Sequence, residues 1–368
     1  MRIVLTGGGT GGHIYPALAV GKQALQDIPG TSLLYIGTTK GLESRIVPAA
    51  NIPFEAVEIT GFKRKLSLEN VKTVLRFLKA TSRSKELLRR FKPDVVVGTG
   101  GYVCGPVVYA AARLGIPTLI HEQNVIPGLT NQFLSRYAKT VAVSFEDSAS
   151  HFTGKHVLFT GNPCATQVLQ ADRAAGYASL GIRPGGRIVL IFGGSRGARA
   201  LNEAVVDMLP ALGTLADVHF VFVTGESYYE TIQQQLKSRA VPANLVVLPY
   251  LHNMAQVLAA SSLVVSRSGA STLAELTALG IPSILIPSPN VTNNHQEHNA
   301  RGLAVAGAAE MVLEKELSGE RLLGDIRAIM TSPERLAAMK QAALTLGKPE
   351  SASLIINELQ RLAQQRQR

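Results

Sequence analysis

Arg2-Ile3-Val4-Leu5-Thr6-Gly7-Gly8-Gly9-Thr10-Gly11-Gly12 opens the chain, and Arg187-Ile188-Val189-Leu190-Ile191-Phe192-Gly193-Gly194-Ser195-Arg196-Gly197 repeats its plan halfway along. Each is a strand-length apolar run that breaks into a glycine loop and then into residues at helical spacing. After the first loop, Ile14, Ala17, Leu18, Leu25 and Ile28 keep that spacing, with Pro16 in the first turn, where a missing N–H is tolerated. The echo continues downstream. Asp94-Val95-Val96-Val97-Gly98-Thr99-Gly100 is answered by Leu263-Val264-Val265-Ser266-Arg267-Ser268-Gly269, and Gly115-Ile116-Pro117-Thr118-Leu119-Ile120 by Gly280-Ile281-Pro282-Ser283-Ile284-Leu285. Short buried strands alternating with helices mark parallel βαβ units. The pattern therefore predicts an α/β chain of two tandem Rossmann-like domains. Turn residues at Thr160-Gly161-Asn162-Pro163 end the first half. The expected boundaries are 1–163 for the N-terminal domain, 164–340 for the C-terminal domain, and 341–368 for a last segment. That segment carries an amphipathic helix at 354–362 able to pack back on the first domain.

Composition narrows the classes. Among 368 residues, 46% are hydrophobic and 17% charged, enough for a packed core and against wholesale disorder. Lys and Arg number 37 against 26 Asp and Glu, a formal net charge of +11. Such a balance points to an anionic partner: nucleic acid, an acidic membrane surface or a phosphorylated substrate. The two cysteines, Cys104 and Cys164, exclude a disulfide scaffold and a four-cysteine zinc site, and reduced thiols in the cytoplasm are expected. Apolar runs such as 189–192 and 284–287 fall far short of the roughly 20 residues that span a bilayer. Met1–Leu5 enters the glycine loop with no secretory apolar region, so a soluble or peripheral protein is expected.

Glycine loops at the carboxyl ends of parallel strands admit an anion close to the backbone, and the following helix N-terminus favours its charge. Both loops therefore read as phosphate or sugar cradles. A dinucleotide site also wants an acid closing the second strand. Here Leu33-Leu34-Tyr35-Ile36 ends in Gly37-Thr38-Thr39-Lys40, and Glu43 comes only several residues later. That argues against NAD or FAD, and the absence of GxxxxGK[ST] argues against P-loop hydrolysis. No DxD pair occurs, His121-Glu122-Gln123-Asn124 lacks the second His of HExxH, and His295 with His298 has no evident third ligand. No metal or other cofactor is expected.

Five motifs together resemble one family. Gly7 through Ala19, with Gly9-Thr10-Gly11-Gly12-His13 at its centre, is similar to the first signature of the MurG family, bacterial N-acetylglucosaminyltransferases that convert lipid I to lipid II. His121-Glu122-Gln123-Asn124 with Pro127-Gly128 resembles the second, Gly193-Gly194-Ser195-Arg196-Gly197-Ala198 the third, Ser266 through Glu275 the fourth, and Asn294 through Ala300 the fifth. The resemblance runs to about residue 310. It implies a GT-B fold, two Rossmann-like domains facing across a cleft, with UDP-GlcNAc as donor and lipid I as acceptor. Transfer would be an inverting displacement by the C4 hydroxyl of N-acetylmuramic acid, giving a β-1,4 link for peptidoglycan synthesis.

Carried over residue by residue, the resemblance places Gly194 and Ser195 on the diphosphate, Ala270 beside them and Glu275 on the ribose hydroxyls. The backbone of Leu251 would read the uracil edge, Gln296 and Asn124 would take GlcNAc hydroxyls, and Thr10, Gly11 and Gly12 would close over the sugar and diphosphate. His13 is the first candidate for the base, opening a helix whose dipole disfavours the imidazolium. Glu122 is the second. A purely structural role competes in each case: Glu275 complementing a helix dipole, Asn124 shaping a Pro-Gly turn, His13 capping its helix. One departure stands out. Family members often carry Arg after the linker Asn-Pro, whereas Asn162-Pro163 is followed by Cys164, leaving Arg196, Arg199 or Arg267 to compensate the phosphate charge.

The positive charge is concentrated between Phe62 and Lys92, where eleven basic residues face only Glu69 and Glu86. Interleaved apolar residues at helical spacing predict a basic amphipathic helix. An anionic bilayer would bind it through Leu75, Phe77, Leu78 and Lys79, on the cytoplasmic side of the cell membrane. Nucleic acid is the rival reading, weakened by 5% aromatic content, no Trp and no RNA- or DNA-binding signature. A UDP-GlcNAc 2-epimerase, which shares the twin architecture but needs no lipid acceptor, is the enzymatic rival.

Overall fold

The computed structural model describes residues 1–61 and 68–367, without the side chains of 68–71 and 367. Its contacts divide the chain into two units, Met1–Thr166 with Glu350–Arg368, and Gln167–Pro349. The change of unit after residue 166 falls three residues beyond the expected boundary at 163. The expected last segment is divided as well: the helix Pro333–Leu346 stays with the second unit, while the helix Ser351–Gln367 belongs to the first.

Among the described residues the first unit carries a seven-stranded sheet, with β1 (Arg2–Thr6), β2 (Ser32–Gly37), β3 (Phe54–Ala56), β4 (Val95–Gly98), β5 (Thr118–Glu122), β6 (Thr140–Val143) and β7 (Val157–Phe159). Its order is β3-β2-β1-β4-β5-β6-β7, and every pairing is parallel. The second unit repeats the plan with β8 (Arg187–Phe192), β9 (Val218–Val223), β10 (Leu245–Leu248), β11 (Leu263–Ser266), β12 (Ser283–Leu285) and β13 (Ala309–Met311), in the order β10-β9-β8-β11-β12-β13. The motif echo is thus an echo of topology: β1 and β8 occupy equivalent central places, beside β4 and β11. In each sheet the strand order reverses at that pair, and there the loops diverge to leave a crevice.

The strands are apolar throughout because both sheet faces are covered. On one face of the first sheet, Ile3, Leu5, Val95 and Val97 pack against Ile14, Ala17 and Leu18 of the helix Gly11–Asp27 and against Ile355, Ile356, Leu359 and Leu362 of the last helix. On the other, Val4, Val96 and Ile120 meet Leu87 and Leu88 of the helix Leu68–Phe91 and Val107, Val108 and Ala111 of the helix Cys104–Arg113. In the second unit Val189, Ile191, Phe220 and Phe222 lie under Leu201, Val205, Leu322 and Ile326. Both cysteines are buried, and neither is in a disulfide.

Candidate active site

The first glycine loop leaves β1 at the switch point, and its backbone is held from beneath almost residue by residue. The Tyr35 hydroxyl donates to the Gly7 carbonyl at 2.7 Å, and Gly8 N–H donates to the Gly100 carbonyl at 3.3 Å. Gly101 has φ +79, and a Cβ there would lie 2.2 Å from the Gly8 oxygen, so at this point the loops after β1 and β4 approach too closely for a side chain. Thr10 is the N-cap of the helix Gly11–Asp27, and the first backbone bonds back to its carbonyl come from His13 and Ile14. The N–H groups of Thr10, Gly11 and Gly12 have no partner among the described residues. They form an electropositive helix start open to a ligand.

His13 is half-buried, with Nδ1 at 3.0 Å from the Gly8 carbonyl and 3.1 Å from the Thr10 hydroxyl. A carbonyl only accepts, so Nδ1 carries the hydrogen, and in the neutral ring the lone pair sits on Nε2. Thr99 Oγ1 donates to the His13 carbonyl at 2.6 Å, fixing the backbone behind the ring.

Glu122 ends β5 and is buried, with both oxygens engaged. Oε1 accepts from the Asn124 N–H at 3.0 Å and from Asn124 Nδ2 at 3.3 Å; Oε2 accepts from Gly128 N–H at 3.1 Å and from Asn131 Nδ2 at 2.8 Å. Burial pushes its carboxyl up while these donors pull it down. The carboxylate faces its own loop rather than His13, and the loop folds around it. Asn124 is partly exposed beyond that turn, with Ser148 donating to its carbonyl at 3.0 Å. His121 is buried between the Gly161 carbonyl and Gln123 Nε2, each 3.0 Å away, and burial lowers its pKa to about 4. Gln123 also donates to the Thr99 carbonyl at 2.7 Å, tying this loop to the one after β4.

In the second unit the loop after β8 exposes Gly194 and Ser195, and Gly197 has φ +73 with no room for a side chain against the Thr224 carbonyl. Ala270 begins the helix Ala270–Leu279 after β11, and Gly269 caps it without a side-chain bond. Glu275 is the sixth residue of that helix, past the turn where the dipole acts, so dipole complementation does not account for it. Its carboxyl accepts no hydrogen bond among the described residues, and burial raises its pKa to about 7. Leu251 buries its side chain, while its backbone N–H and C=O have no partner among the described residues. Gln296 accepts from Ser288 N–H at 2.9 Å, which orients its amide and leaves Nε2 to donate elsewhere. The Ser268 hydroxyl donates to the Gln296 carbonyl at 2.7 Å, so the fourth and fifth motifs meet.

The three arginines expected as candidates to compensate the phosphate charge separate clearly. Arg267 is nearly buried, bonded to the carbonyls of Ile286 and Pro287 and paired with Glu314. Arg199 pairs with Glu203 at 2.7 Å. The Arg196 guanidinium, exposed on the loop after β8, has no partner among the described residues.

Of the basic arm, 62–67 lie outside the described residues, and Lys63, Arg64 and Lys65 with them. The helix Leu68–Phe91 turns Val74, Leu75 and Leu78 outward, 47%, 56% and 59% exposed. Phe77 does not join them, contrary to the sequence expectation. It packs at 6.0 Å on Tyr109 and 6.3 Å on Phe133, because the helical period sets it on the face of buried Thr73, Ala80 and Ser84. Arg83 pairs with Glu86 and Glu55, whereas Arg76 donates only to the neutral Thr60 hydroxyl, so among the described residues Lys72, Arg76 and Lys79 carry uncompensated charge at this end. Among the described residues no helix is long and apolar enough to cross a membrane.

Two residues of the first unit were not singled out from sequence: Asn131, which braces Glu122, and Tyr102, whose ring lies against Gly9 and Gly61. No local pattern marks them, since each acts across a fold contact.

Residues 3–143 match the glycosyltransferase family 28 N-terminal domain, and 188–358 match the family's C-terminal domain. A UDP-N-acetylglucosamine–N-acetylmuramyl-(pentapeptide) pyrophosphoryl-undecaprenol N-acetylglucosamine transferase of Halalkalibacterium halodurans is 57% identical over 96% of this chain and 97% of its own. Among solved structures, MurG of Acinetobacter baumannii superposes with a TM-score of 0.76 at 32% identity, covering 98% of this chain and 99% of that one. A UDP-GlcNAc 2-epimerase of Neisseria meningitidis superposes with a TM-score of 0.67 at 16% identity, over 98% of this chain and 100% of that one, a likeness of fold alone. With both units matched and identity this high along nearly the whole chain, the protein belongs to glycosyltransferase family 28, in its MurG group.

Proposed function

We propose that the protein transfers GlcNAc from UDP-GlcNAc to the C4 hydroxyl of N-acetylmuramic acid in lipid I, making the β-1,4 link of lipid II. The carrying observation is Glu275, a carboxyl at the switch point of the second sheet that accepts no hydrogen bond among the described residues. A pair of vicinal ribose hydroxyls supplies the missing donors. The open backbone edge of Leu251 suits a uracil, and Gln296 Nε2 suits a sugar hydroxyl. The loop amides at Gly194 and Ser195, with Arg196 beside them and Ala270 opening the facing helix, suit a diphosphate. With Cys164 in the linker, Arg196 is, of the three candidate arginines, the one without a partner among the described residues, and it offsets the charge of departing UDP.

In the first unit, His13 Nε2 takes the proton from the acceptor hydroxyl as its oxygen attacks the anomeric carbon, and the bond electrons leave with UDP. Thr10, Gly11 and Gly12 present free amides to the acceptor or donor phosphates. Glu122 shapes the loop that carries Asn124 and does not act as the base. The outer face of the helix Leu68–Phe91 rests on an anionic bilayer at the cytoplasmic side of the membrane, where a lipid-linked acceptor resides.

The test is UDP release from UDP-GlcNAc with and without a lipid I analogue, run on the wild type, Glu275→Ala and His13→Ala. Release that needs the acceptor and is lost in both variants supports the reading. Acceptor-independent UDP formation with conversion of GlcNAc to ManNAc would replace it with an epimerase.

A further inference from the structure

Glu43 is the acid that a dinucleotide reading of the sequence finds too late in the chain. In the structure it is 0% exposed and lies under the first glycine loop. Oε2 accepts from Gly9 N–H at 3.2 Å; Oε1 accepts from Thr38 N–H at 3.1 Å and from the Thr38 hydroxyl at 2.6 Å. No cation pairs with it among the described residues. Glycine density around it follows from its bulk: a Cβ on Gly8 would lie 2.7 Å from Glu43 Cδ, one on Gly37 2.7 Å from Cγ, and one on Gly41 2.2 Å from the carboxylate oxygens. Within the first loop, Gly8 is thus accounted for by a carboxylate of the chain itself, while Gly7 makes way for Thr99 and the His13 carbonyl.

The position of Gly9 gives this a consequence for chemistry. Among the groups that hold His13 are the Gly8 carbonyl and the Thr10 hydroxyl at Nδ1, one residue to either side of the Gly9 N–H that Glu43 grips. We propose that Glu43 is a positioning residue: its buried carboxylate occupies the underside of the first glycine loop in place of a bound anion, and by fixing Gly9 it fixes the ring orientation and tautomer of His13. A catalytic role for His13 rests on the transferase reading above; the structural coupling does not. The same carboxylate leaves the Gly9 amide unavailable to a nucleotide phosphate.

The test has an activity arm and a spectroscopic arm. Glu43→Gln keeps the volume but sets an amide N–H₂ against N–H or O–H donors, and Glu43→Ala removes the grip entirely. Expected are a kcat about 10- to 100-fold below wild type, as a misplaced catalytic group gives, with the KM for UDP-GlcNAc unchanged. The His13 ring nitrogens, followed by ¹⁵N NMR and assigned with His13→Asn, should move from a fixed Nδ1–H form toward tautomer averaging. In the wild type the Gly9 amide should be strongly protected from hydrogen exchange, a readout that stands even if a variant fails to fold. Wild-type kcat and unmoved His13 signals in folded Glu43→Gln, or an unprotected Gly9 amide, would overturn the proposal. A wild type that releases no UDP with acceptor, yet whose His13 signals move in Glu43→Gln, would sink the transferase reading and leave Glu43 standing.

Discussion

Glu275 is a carboxyl whose chemistry is set by what surrounds it. Its native pKa of about 7 lies above the roughly 4.3 of an exposed Glu, so between those values the folded state binds more protons than the unfolded one. Stability from this group is therefore full below about pH 4 and is lost as pH rises through about 7. Glu275→Gln should melt above the wild type at pH 8, the gap closing toward pH 4.5, in paired thermal scans. Ribose hydroxyls donating to the carboxylate favour its charged form, so UDP binding should release a proton near pH 6.5. Calorimetry in two buffers of different ionisation enthalpy would read that release, and affinity should rise with pH through about 7. His121 has the opposite sign in the same range. Its pKa of about 4 lies below the roughly 6.5 of a free imidazole, so its contribution is lost as pH falls from about 6.5 to 4, and His121→Gln should flatten that loss. Motif spacing made Glu275 and His13 legible as candidates. What satisfies each of them was not legible, because Gly8, Thr99 and Glu43 reach their partners only through the fold.

At the scale of elements, periodicity predicted the basic helix and its exposed Leu75 and Leu78 but placed Phe77 on the wrong face. Residues 74, 75, 77 and 78 fall within about 160° of the helix circumference, and Phe77, at the edge of that arc, packs inward on Tyr109 and Phe133. Phe77→Ala should cost about 2–4 kcal/mol in denaturant unfolding by emptying that aromatic cluster. Leu75→Glu with Leu78→Glu should leave stability within about 1 kcal/mol, since both sites are exposed. The pair should weaken binding to anionic vesicles at least about tenfold in a sedimentation assay, with zwitterionic vesicles as the control. If the pair binds as the wild type does, this helix is not the membrane contact. The glycine loops carry a sharper constraint. Gly101→Ala meets both the positive φ and the Gly8 oxygen, and should lose about 1–3 kcal/mol along with transferase activity.

At the scale of the whole molecule, the last helix returns to the first unit and closes one face of its sheet. Ile355, Ile356, Leu359 and Leu362 are buried there, and Glu358 accepts from Thr140 and pairs with Arg361 at 2.7 Å. Four such side chains at about 1.5–3 kcal/mol each approach the entire 5–15 kcal/mol stability of a typical domain. Ending the chain at residue 349 should therefore unfold the first unit and spare Gln167–Pro349, seen as loss of one calorimetric transition and selective proteolysis of 1–166. The sequence alone determined the α/β class, the tandem plan, the strands and the glycine loops with their motif residues, because alternation of apolar runs, glycine and helical period is a local property. Tertiary structure alone decided the unit to which the last helix belongs, the inward turn of Phe77, the pairing of Arg267, the inward-facing carboxylate of Glu122, and the place of Glu43 under the loop. Each of those depends on which surfaces and donors meet across long stretches of chain, and burial and hydrogen-bond satisfaction are settled only when they do.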